Sequence, residues 1–172
     1  MGKLIFLTGG ARSGKSAFAV QRARACGKRI AYIATGTAGD DEMACRISKH
    51  RQSRPKSWET IEEPLDVSSA IKRTNGKADV VIVDCLTLLV TNLLMKSKDE
   101  SSILTTIQEI VGSIRESNLT VLVVSNETGA GIVPDNRLAR DFRDIAGRAN
   151  QLMAGASDEA YLLVAGLPLK LK

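Results

Sequence analysis

The sequence predicts an α/β protein in which helices flank a mostly parallel β-sheet. Two observations carry this prediction. Short and nearly continuous apolar runs recur along the 172-residue chain, as expected of strands that are buried on both faces. Stretches of helical character separate these runs, and strand–helix alternation is typical of a parallel sheet wrapped by helices.

The individual elements follow from the same pattern. The predicted strands are Leu4–Thr8, Arg29–Thr35, Asp79–Asp84, Leu119–Ser125 and Glu159–Ala165, and the predicted helices cover residues 15–26, about 40–52, 65–74, 100–117 and 136–154. The tail, residues 166–172, is predicted to turn back as a short edge strand whose final lysines protect that edge. Ligands of parallel sheets bind at the carboxyl ends of the strands, so the residues just after each strand are the first candidates for a site.

Composition narrows the class of protein. The length suits a single domain, residues 1–172, with a hydrophobic core. A net charge of +5 is spread along the chain and aromatic residues make up only 3%, which argues against nucleic-acid binding. Cys26, Cys45 and Cys85 show no C-x-x-C spacing, which favours free thiols in a reducing cytoplasm. No apolar run approaches the ~20 residues of a membrane span, and the N-terminal run is too short for a signal peptide.

The strongest motif is the segment Gly9-Gly-Ala-Arg-Ser-Gly-Lys-Ser16, which fits the phosphate-loop pattern G-x-x-x-x-G-K-[ST] in full. Its glycines let backbone N–H groups point at phosphate oxygens, and the helix that follows directs its positive end at the same oxygens. Lys15 is expected to reach the β- and γ-phosphates, and the Ser16 hydroxyl to bind Mg²⁺. Because a predicted strand precedes the motif and a predicted helix follows it, the segment predicts a nucleoside triphosphate site.

Asp84 ends the third predicted strand after four apolar residues. In phosphate-loop enzymes a carboxylate in this position holds the shell of Mg²⁺. The alternative interpretation is an ordinary strand-terminal aspartate. Thr87, Thr91 and Asn92 follow, and they either line the site or cap the next helix.

His50 is the one histidine of the chain. Met43, Ile47 and His50 recur at helical spacing, so they share one face of the predicted helix. One interpretation is a histidine near a helix C-terminus, where a cation is favoured. The other is a nucleophile, because the basic cluster of residues 49–54 favours a neutral imidazole and suits a triphosphate.

Other polar residues have simpler interpretations. Trp58 is interpreted as a packing anchor, and Glu62 and Glu63 as solvated charges. Asn126 and Glu127 follow the fourth predicted strand and are expected at the same edge as the phosphate loop.

The predicted helix 136–154 carries alternating arginines and aspartates on the faces away from its apolar stripe. One interpretation is a solvated face, since Arg137 and Asp141, like Arg140 and Asp144, are four residues apart and can pair. The other is a surface that binds phosphate or another subunit.

Several segments together carry a resemblance to a known family. They are Thr8–Ser16, Tyr32–Thr35, Asp41–Met43 with Arg46 and Ile47, His50 with Arg54 and Pro55, Trp58-x-Thr60-x-Glu62, Asn126–Pro134, and Asn136–Arg148. With these segments the chain resembles, nearly end to end, the bifunctional adenosylcobinamide kinase / adenosylcobinamide-phosphate guanylyltransferase of cobalamin biosynthesis. Kinases in general share only the first segment. The resemblance implies a P-loop (RecA-like) form of the predicted sheet.

The resemblance implies two activities. A nucleoside triphosphate, ATP or GTP, phosphorylates the aminopropanol hydroxyl of adenosylcobinamide. GTP then gives its GMP to a histidine and releases pyrophosphate, and the product phosphate attacks to form adenosylcobinamide-GDP. The matching histidine is His50, which favours the nucleophile over the surface histidine. Transfer through the neutral imidazole is expected to slow as the pH drops below ~6.5.

The resemblance also implies which residues bind nucleotide. They are Gly9, Gly10, Ala11, Arg12, Ser13, Gly14, Lys15, Ser16, Ala34, Thr35, Gly36, Arg51, Gln52, Ser53, Arg54, Glu62 and Asp84, with Ser16 and Asp84 also holding Mg²⁺. Some family members have Ser at Gly36, so no side-chain contact is expected there, and some have Glu at Asp84. Gln52 and Ser53 match loosely and are expected to contact GTP through their backbone. The implied assembly is a cytoplasmic homotrimer, without nucleic-acid or membrane partners.

Two other functions stay open from the residues. The first is a monofunctional P-loop kinase for a small molecule, in which His50 is structural. The second is a GTP-binding regulatory protein without transfer chemistry. A covalent guanylyl label that depends on His50 distinguishes the bifunctional enzyme from the first, and pyrophosphate release distinguishes it from the second.

Overall fold

The computed structural model describes residues 1–52, 54–55, 57–96 and 99–172; the side chains of Met43, Arg46, Lys49 and His50 lie outside this description. The strands are β1 (Lys3–Gly9), β2 (Ile30–Ala34), β3 (Glu59–Glu62), β4 (Val80–Asp84), β5 (Thr120–Val124), β6 (Glu159–Val164) and β7 (Leu167–Lys170). The helices are α1 (Lys15–Cys26), α2 (Asp41–Gln52), α3 (Val67–Thr74), α4 (Leu86–Met95), α5 (Glu100–Glu116) and α6 (Arg137–Ala156).

The strands form one seven-stranded sheet in the order β3-β2-β4-β5-β1-β6-β7. All neighbours are parallel except β7, which runs antiparallel to β6 at the edge. This confirms the predicted α/β fold with a mostly parallel sheet and a short C-terminal edge strand. The carboxyl ends of β1 to β5 therefore lie along one edge of the sheet, which we call the carboxyl edge.

The core has two layers because successive strand residues point to opposite faces. Leu4 and Phe6 face a large cluster that includes apolar residues of α3, α4, α5 and α6. Ile5 and Leu7 face a smaller cluster under α1. The central strands are buried on both faces, which explains their nearly continuous apolar sequences.

Two elements were missed by the sequence analysis. Strand β3 is only four residues long, half-exposed at the edge of the sheet, and both its ends are glutamates. Helix α4 is apolar almost all round, with Leu86, Leu89, Val90 and Leu93 buried. A helix of this kind has no polar face, so it lacks the amphipathic period by which helices are recognised.

The C-terminal hairpin also supports the rest of the fold. Ala165 and Gly166, between β6 and β7, have φ angles of 51° and 85°, as the left-handed positions of a tight hairpin turn require. The amide of Gly166 donates to the carbonyl of Ser13 at 3.0 Å. The turn after β6, the strand next to β1, therefore supports the phosphate-loop segment.

Within the described ranges, no helix has both the length and the apolar character needed to cross a bilayer.

Candidate functional site

The predicted phosphate loop joins β1 to α1 at the carboxyl edge. Gly9 ends β1 with φ of 154°, and Gly14 caps α1 with φ of 95°. A Cβ at Gly9 would lie 2.5 Å from the carbonyl oxygen of Leu163, and one at Gly14 would lie 2.9 Å from the Cα of Gly166. Both positions therefore require glycine, for their backbone angles and for the close approach of β6 and its turn.

Lys15 is the first residue of α1 and is buried. Its Nζ donates to the carbonyls of Gly9 and Gly10, at 3.0 and 2.6 Å, and approaches the Ser13 hydroxyl at 3.4 Å. Burial lowers the pKa of Lys15, while the nearby Cys85 and Asp84 oppose this shift. The ammonium group is thus held at the centre of the loop, where phosphate oxygens of a nucleotide would need a cation.

The loop is also held from the side of β5. The carbonyl of Gly9 accepts from the amide of Glu127 at 2.9 Å, in addition to Lys15. Ser125, just before, is buried and donates to Asn150 of α6 at 2.6 Å. The predicted position of Asn126 and Glu127 beside the phosphate loop is confirmed, and a buried polar network fixes it.

Asp84 ends β4 on the same edge and faces the start of α1. Its Oδ2 accepts from the Ser16 hydroxyl at 3.4 Å and, in a short hydrogen bond, from the hydroxyl of Tyr32. Burial, and then the charge of Asp84, raise the pKa of Tyr32, which keeps the phenol protonated as the donor. One carboxylate and one hydroxyl suit Mg²⁺, which takes few protein ligands besides phosphate and water oxygens.

A separate metal-binding cluster is absent from the part of the chain that the structure describes, where no three His, Cys, Asp or Glu side chains come together. The three cysteines are free thiols, as predicted. Burial raises the pKa of Cys85 to about 12, so this thiol next to Asp84 stays neutral.

The residues at the end of β2 and just after it contact the segments that follow β3 and β4. Ala34 ends the strand and its carbonyl accepts from the amide of Glu63 at 2.9 Å. Thr35 is fully buried and bonds to the backbone of Cys85. Gly36 is half-buried, and a Cβ there would contact Leu88 and Ile47 at 3.4 and 3.5 Å. The predicted nucleotide residues of this segment therefore stand beside Asp84.

Helix α2 brings its C-terminal end to the same edge. Arg51 lies 3.3 Å from Glu62, the last residue of β3. The guanidinium carbon of Arg54 lies 3.8 Å from the ring centroid of Tyr32. The backbone of His50 directly precedes Arg51. These two contacts therefore bring it to the edge that holds the phosphate loop. The His50 side chain and the whole of Ser53 lie outside the described residues.

The remaining predicted residues lie nearby but make other contacts. Ala11 and Arg12 are exposed at the tip of the loop, where Arg12 has φ of 56°. Gln52 is exposed and donates to Ser48 at 3.4 Å within its own helix. Glu62 is exposed and paired with Arg51 rather than merely solvated.

The sequence assigned no role to Tyr32, and it left open whether Asn92 lines the site or caps the next helix. Tyr32 holds Asp84, and its only sequence signal is a tyrosine two residues before the end of an otherwise aliphatic strand. The Asn92 amide donates to the carbonyls of Thr35 and Pro64 at 2.7 and 3.0 Å. A polar residue inside an apolar helix was the signal for Asn92, because buried amides need partners.

The charged face of α6 mainly forms structural contacts. Arg137 pairs with Asp141 at 3.5 Å, as the four-residue spacing predicted. Arg140 donates to the carbonyls of Pro134 and Asp135, Arg143 to that of Gly129, and Arg148 pairs with Glu100. These arginines connect α6 to the loop before it and to α5, which favours the solvated, salt-bridged face over a binding surface.

Comparisons with solved structures support the fold alone. A KaiC-like protein from the hyperthermophilic archaeon Pyrococcus horikoshii OT3 superposes with a TM-score of 0.55 over 93% of this chain and 70% of its own, at 13% identity. The chain therefore has the P-loop, RecA-like form of the parallel sheet.

Sequence comparisons are more specific. The family model described as cobinamide kinase / cobinamide phosphate guanyltransferase matches residues 5–171. The bifunctional adenosylcobalamin biosynthesis protein CobU of Escherichia coli K12 is 42% identical over 98% of this chain and 99% of its own length. CobU of Salmonella typhimurium is 40% identical over the same shares, and CobP of Pseudomonas aeruginosa is 40% identical over 96% of this chain and 95% of its own. The chain belongs to the cobinamide kinase / cobinamide phosphate guanyltransferase family.

Proposed function

We propose that this protein, as one domain of residues 1–172, is a bifunctional transferase of cobalamin biosynthesis. It phosphorylates adenosylcobinamide with a nucleoside triphosphate and then transfers GMP from GTP through His50 to give adenosylcobinamide-GDP. One observation carries the proposal beyond family membership. The contacts of Arg51 with Glu62 and of Arg54 with Tyr32 bring the segment that bears His50 to the edge occupied by the phosphate loop.

The phosphate loop, Gly9–Ser16, is the proposed grip for the triphosphate of GTP or ATP. Lys15, buried among the loop carbonyls, supplies the cation. Ser16 and Asp84 would hold Mg²⁺, which when bound neutralises charge on the departing phosphates. The other proposed nucleotide contacts come from three further segments: Ala34, Thr35 and Gly36; Arg51, Gln52, Ser53 and Arg54; and Glu62.

The guanylyl transfer has two balanced steps. The imidazole nitrogen of His50 attacks the α-phosphorus of GTP, a nitrogen–phosphorus bond forms, and the bond to pyrophosphate breaks. An oxygen of the adenosylcobinamide phosphate then attacks the same phosphorus, and the nitrogen–phosphorus bond breaks. A covalent intermediate divides one difficult transfer into two easier ones.

Covalent labelling tests this proposal. Incubation with α-³²P-GTP and Mg²⁺ should leave an acid-labile, base-stable label on the protein, and His50→Ala should abolish it. Cys45→Ser, at an exposed position of the same helix, is the control and should label like the parent. The proposal fails if the parent takes no label, or if His50→Ala labels as well as the parent.

Two rival functions give other outcomes. A monofunctional kinase would phosphorylate adenosylcobinamide without any label from GTP. A regulatory GTP-binding protein would bind nucleotide, release no pyrophosphate and make no product with cobinamide phosphate present.

We also propose a homotrimer in the cytoplasm. The C-terminal hairpin exposes the apolar side chains of Val164, Leu167, Leu169 and Leu171. Leucines that are two residues apart share one face of a strand. Three free cysteines are consistent with a reducing compartment. Light scattering after gel filtration should give about three times the chain mass of 18.5 kDa, and a monomer would contradict the proposal.

A further inference from the structure

Tyr32 lies behind the carboxylate proposed to hold the metal. Its side chain is almost fully buried in β2, among the apolar residues that pack under α1. Its hydroxyl donates to Oδ2 of Asp84, the same oxygen that the Ser16 hydroxyl approaches at 3.4 Å. Among the described residues, Oδ1 of Asp84 accepts no hydrogen bond. The tyrosine therefore orients the carboxylate so that one oxygen is held and the other is left for a ligand.

The other contact of Tyr32 reaches the segment that follows α2. The Arg54 guanidinium lies over the face of the ring, 3.8 Å from its centroid. A guanidinium that lies over an aromatic ring is attracted by the negative face of the ring. Arg54 stands four residues after His50, so this contact fastens the end of the proposed nucleophile's helix.

We infer that Tyr32 is a positioning residue that acts on both halves of the site. Its hydroxyl orients Asp84 toward the metal, and its ring docks Arg54, just after the C-terminal end of α2, against the sheet. The inference rests on the proposed function for the identity of the metal and of the nucleophile. Only tyrosine combines both contacts here, because phenylalanine would keep the ring without the hydroxyl, and leucine would keep neither.

Two substitutions separate the two contacts. Mn²⁺, added together with GTP, serves as a paramagnetic substitute for Mg²⁺. Tyr32→Phe should weaken its binding by about 3- to 10-fold, because one hydrogen bond to the charged Asp84 carboxylate is lost. Hydrogen exchange of residues 41–52, measured without nucleotide, should stay as in the parent. Tyr32→Leu should weaken Mn²⁺ binding equally and also speed exchange in residues 41–52 by about 3- to 10-fold, because the stacking is lost.

Tyr161→Phe is the matched control. The Tyr161 hydroxyl donates to Oε2 of Glu159 at 2.7 Å, so this variant also breaks a tyrosine–carboxylate bond. Glu159 stands at the start of β6, at the opposite edge of the sheet from Asp84. Tyr161→Phe should therefore leave both Mn²⁺ binding and the exchange of residues 41–52 unchanged.

Either measurement can overturn the inference. Mn²⁺ binding by Tyr32→Phe equal to that of the parent would refute the role toward Asp84. Unchanged exchange in Tyr32→Leu would refute the docking role. If Tyr32→Leu does not fold, Arg54→Leu removes the same stacking from the other side and should speed exchange to the same extent. Neither readout depends on a GMP–histidine bond, so failure of the labelling experiment remains a separate result.

Discussion

The hydroxyl of Thr35 makes two hydrogen bonds to the backbone of Cys85, each 2.8 Å long. It donates to the carbonyl oxygen and accepts from the amide. Thr35 is fully buried and follows β2, while Cys85 follows β4. This double contact ties together the ends of two neighbouring strands immediately beside Asp84.

Thr35→Val should test how much this contact stabilises the fold. Valine has the same shape but leaves the buried Cys85 amide without a partner, while the Cys85 carbonyl keeps its bond from the Leu89 amide. The free energy of unfolding should therefore fall by about 2 kcal/mol. Thr74→Val is the control, because the buried Thr74 hydroxyl donates to the carbonyl of Ile71 within its own helix. This substitution should cost about 1 kcal/mol. Urea denaturation of both variants gives the comparison, and equal losses would contradict the assigned role of Thr35.

Gly14→Ala should damage both folding and nucleotide binding. Gly14 has φ of 95°, and an added Cβ would approach the Cα of Gly166 to 2.9 Å. We expect a loss of at least about 1–2 kcal/mol, from the strained backbone angle and the displaced turn.

Gly112→Ala is the matched glycine control. Gly112 lies inside α5, and an added Cβ there would meet nothing within 4 Å. Alanine should therefore stabilise the protein by about 0.5–1 kcal/mol, through helix propensity. Thermal unfolding of the two variants should shift in opposite directions, and a stable Gly14→Ala protein would refute the constraint.

The sequence predicted the carboxyl edge because each central strand is a distinct apolar run. That pattern predicted the fold and placed Gly9–Ser16 and Asp84 at the same edge, whereas the family came from the resemblance of the motif segments; fold and family are both confirmed. No pattern in the sequence indicates the order of the strands in the sheet. Strand β5 lies between β1 and β4 although it comes about forty residues after β4 in the chain.

Contacts between individual side chains could not be predicted from the sequence either. Tyr32 and Asp84 are 52 residues apart, and so no local period joins them. Strand β3 was missed because pairing with β2, not apolar character, makes Glu59–Glu62 a strand. The roles of His50 and of the nucleotide residues stay predictions, and the experiments above address them.

Glu159 should make stability depend on pH in the acid range. Lys3, Tyr161 and Arg22 surround its carboxylate, with Lys3 at 2.6 Å, and they lower its pKa to about 2 from an ordinary 4.5. The folded state thus favours the ionised form. This stabilisation is complete above about pH 4.5 and is lost as the pH falls toward 2.

Glu159→Gln measures that contribution. At pH 7 the variant should be less stable by about 1–2 kcal/mol, a value discounted for screening by solvent. Urea denaturation at a series of pH values should show that the difference in stability shrinks steadily between pH 4.5 and pH 2. Glu116→Gln, at an exposed position near the end of α5, should show a much smaller and flatter difference. A constant deficit of Glu159→Gln from pH 7 to pH 2 would mean that packing, not charge, makes Glu159 important.

Lys15→Met should remove nucleotide binding without unfolding the protein. Methionine has a similar length, and it removes a charge whose burial is costly enough to lower the pKa of Lys15. The free energy of unfolding should therefore change by less than about 1–2 kcal/mol. GTP should bind about 100-fold more weakly, because the cation at the centre of the loop is lost. Lys28→Met, at an exposed position after α1, is the control and should bind GTP like the parent. Calorimetric titration measures the GTP affinity of both variants. Near-parental affinity of Lys15→Met would show that the triphosphate lies elsewhere.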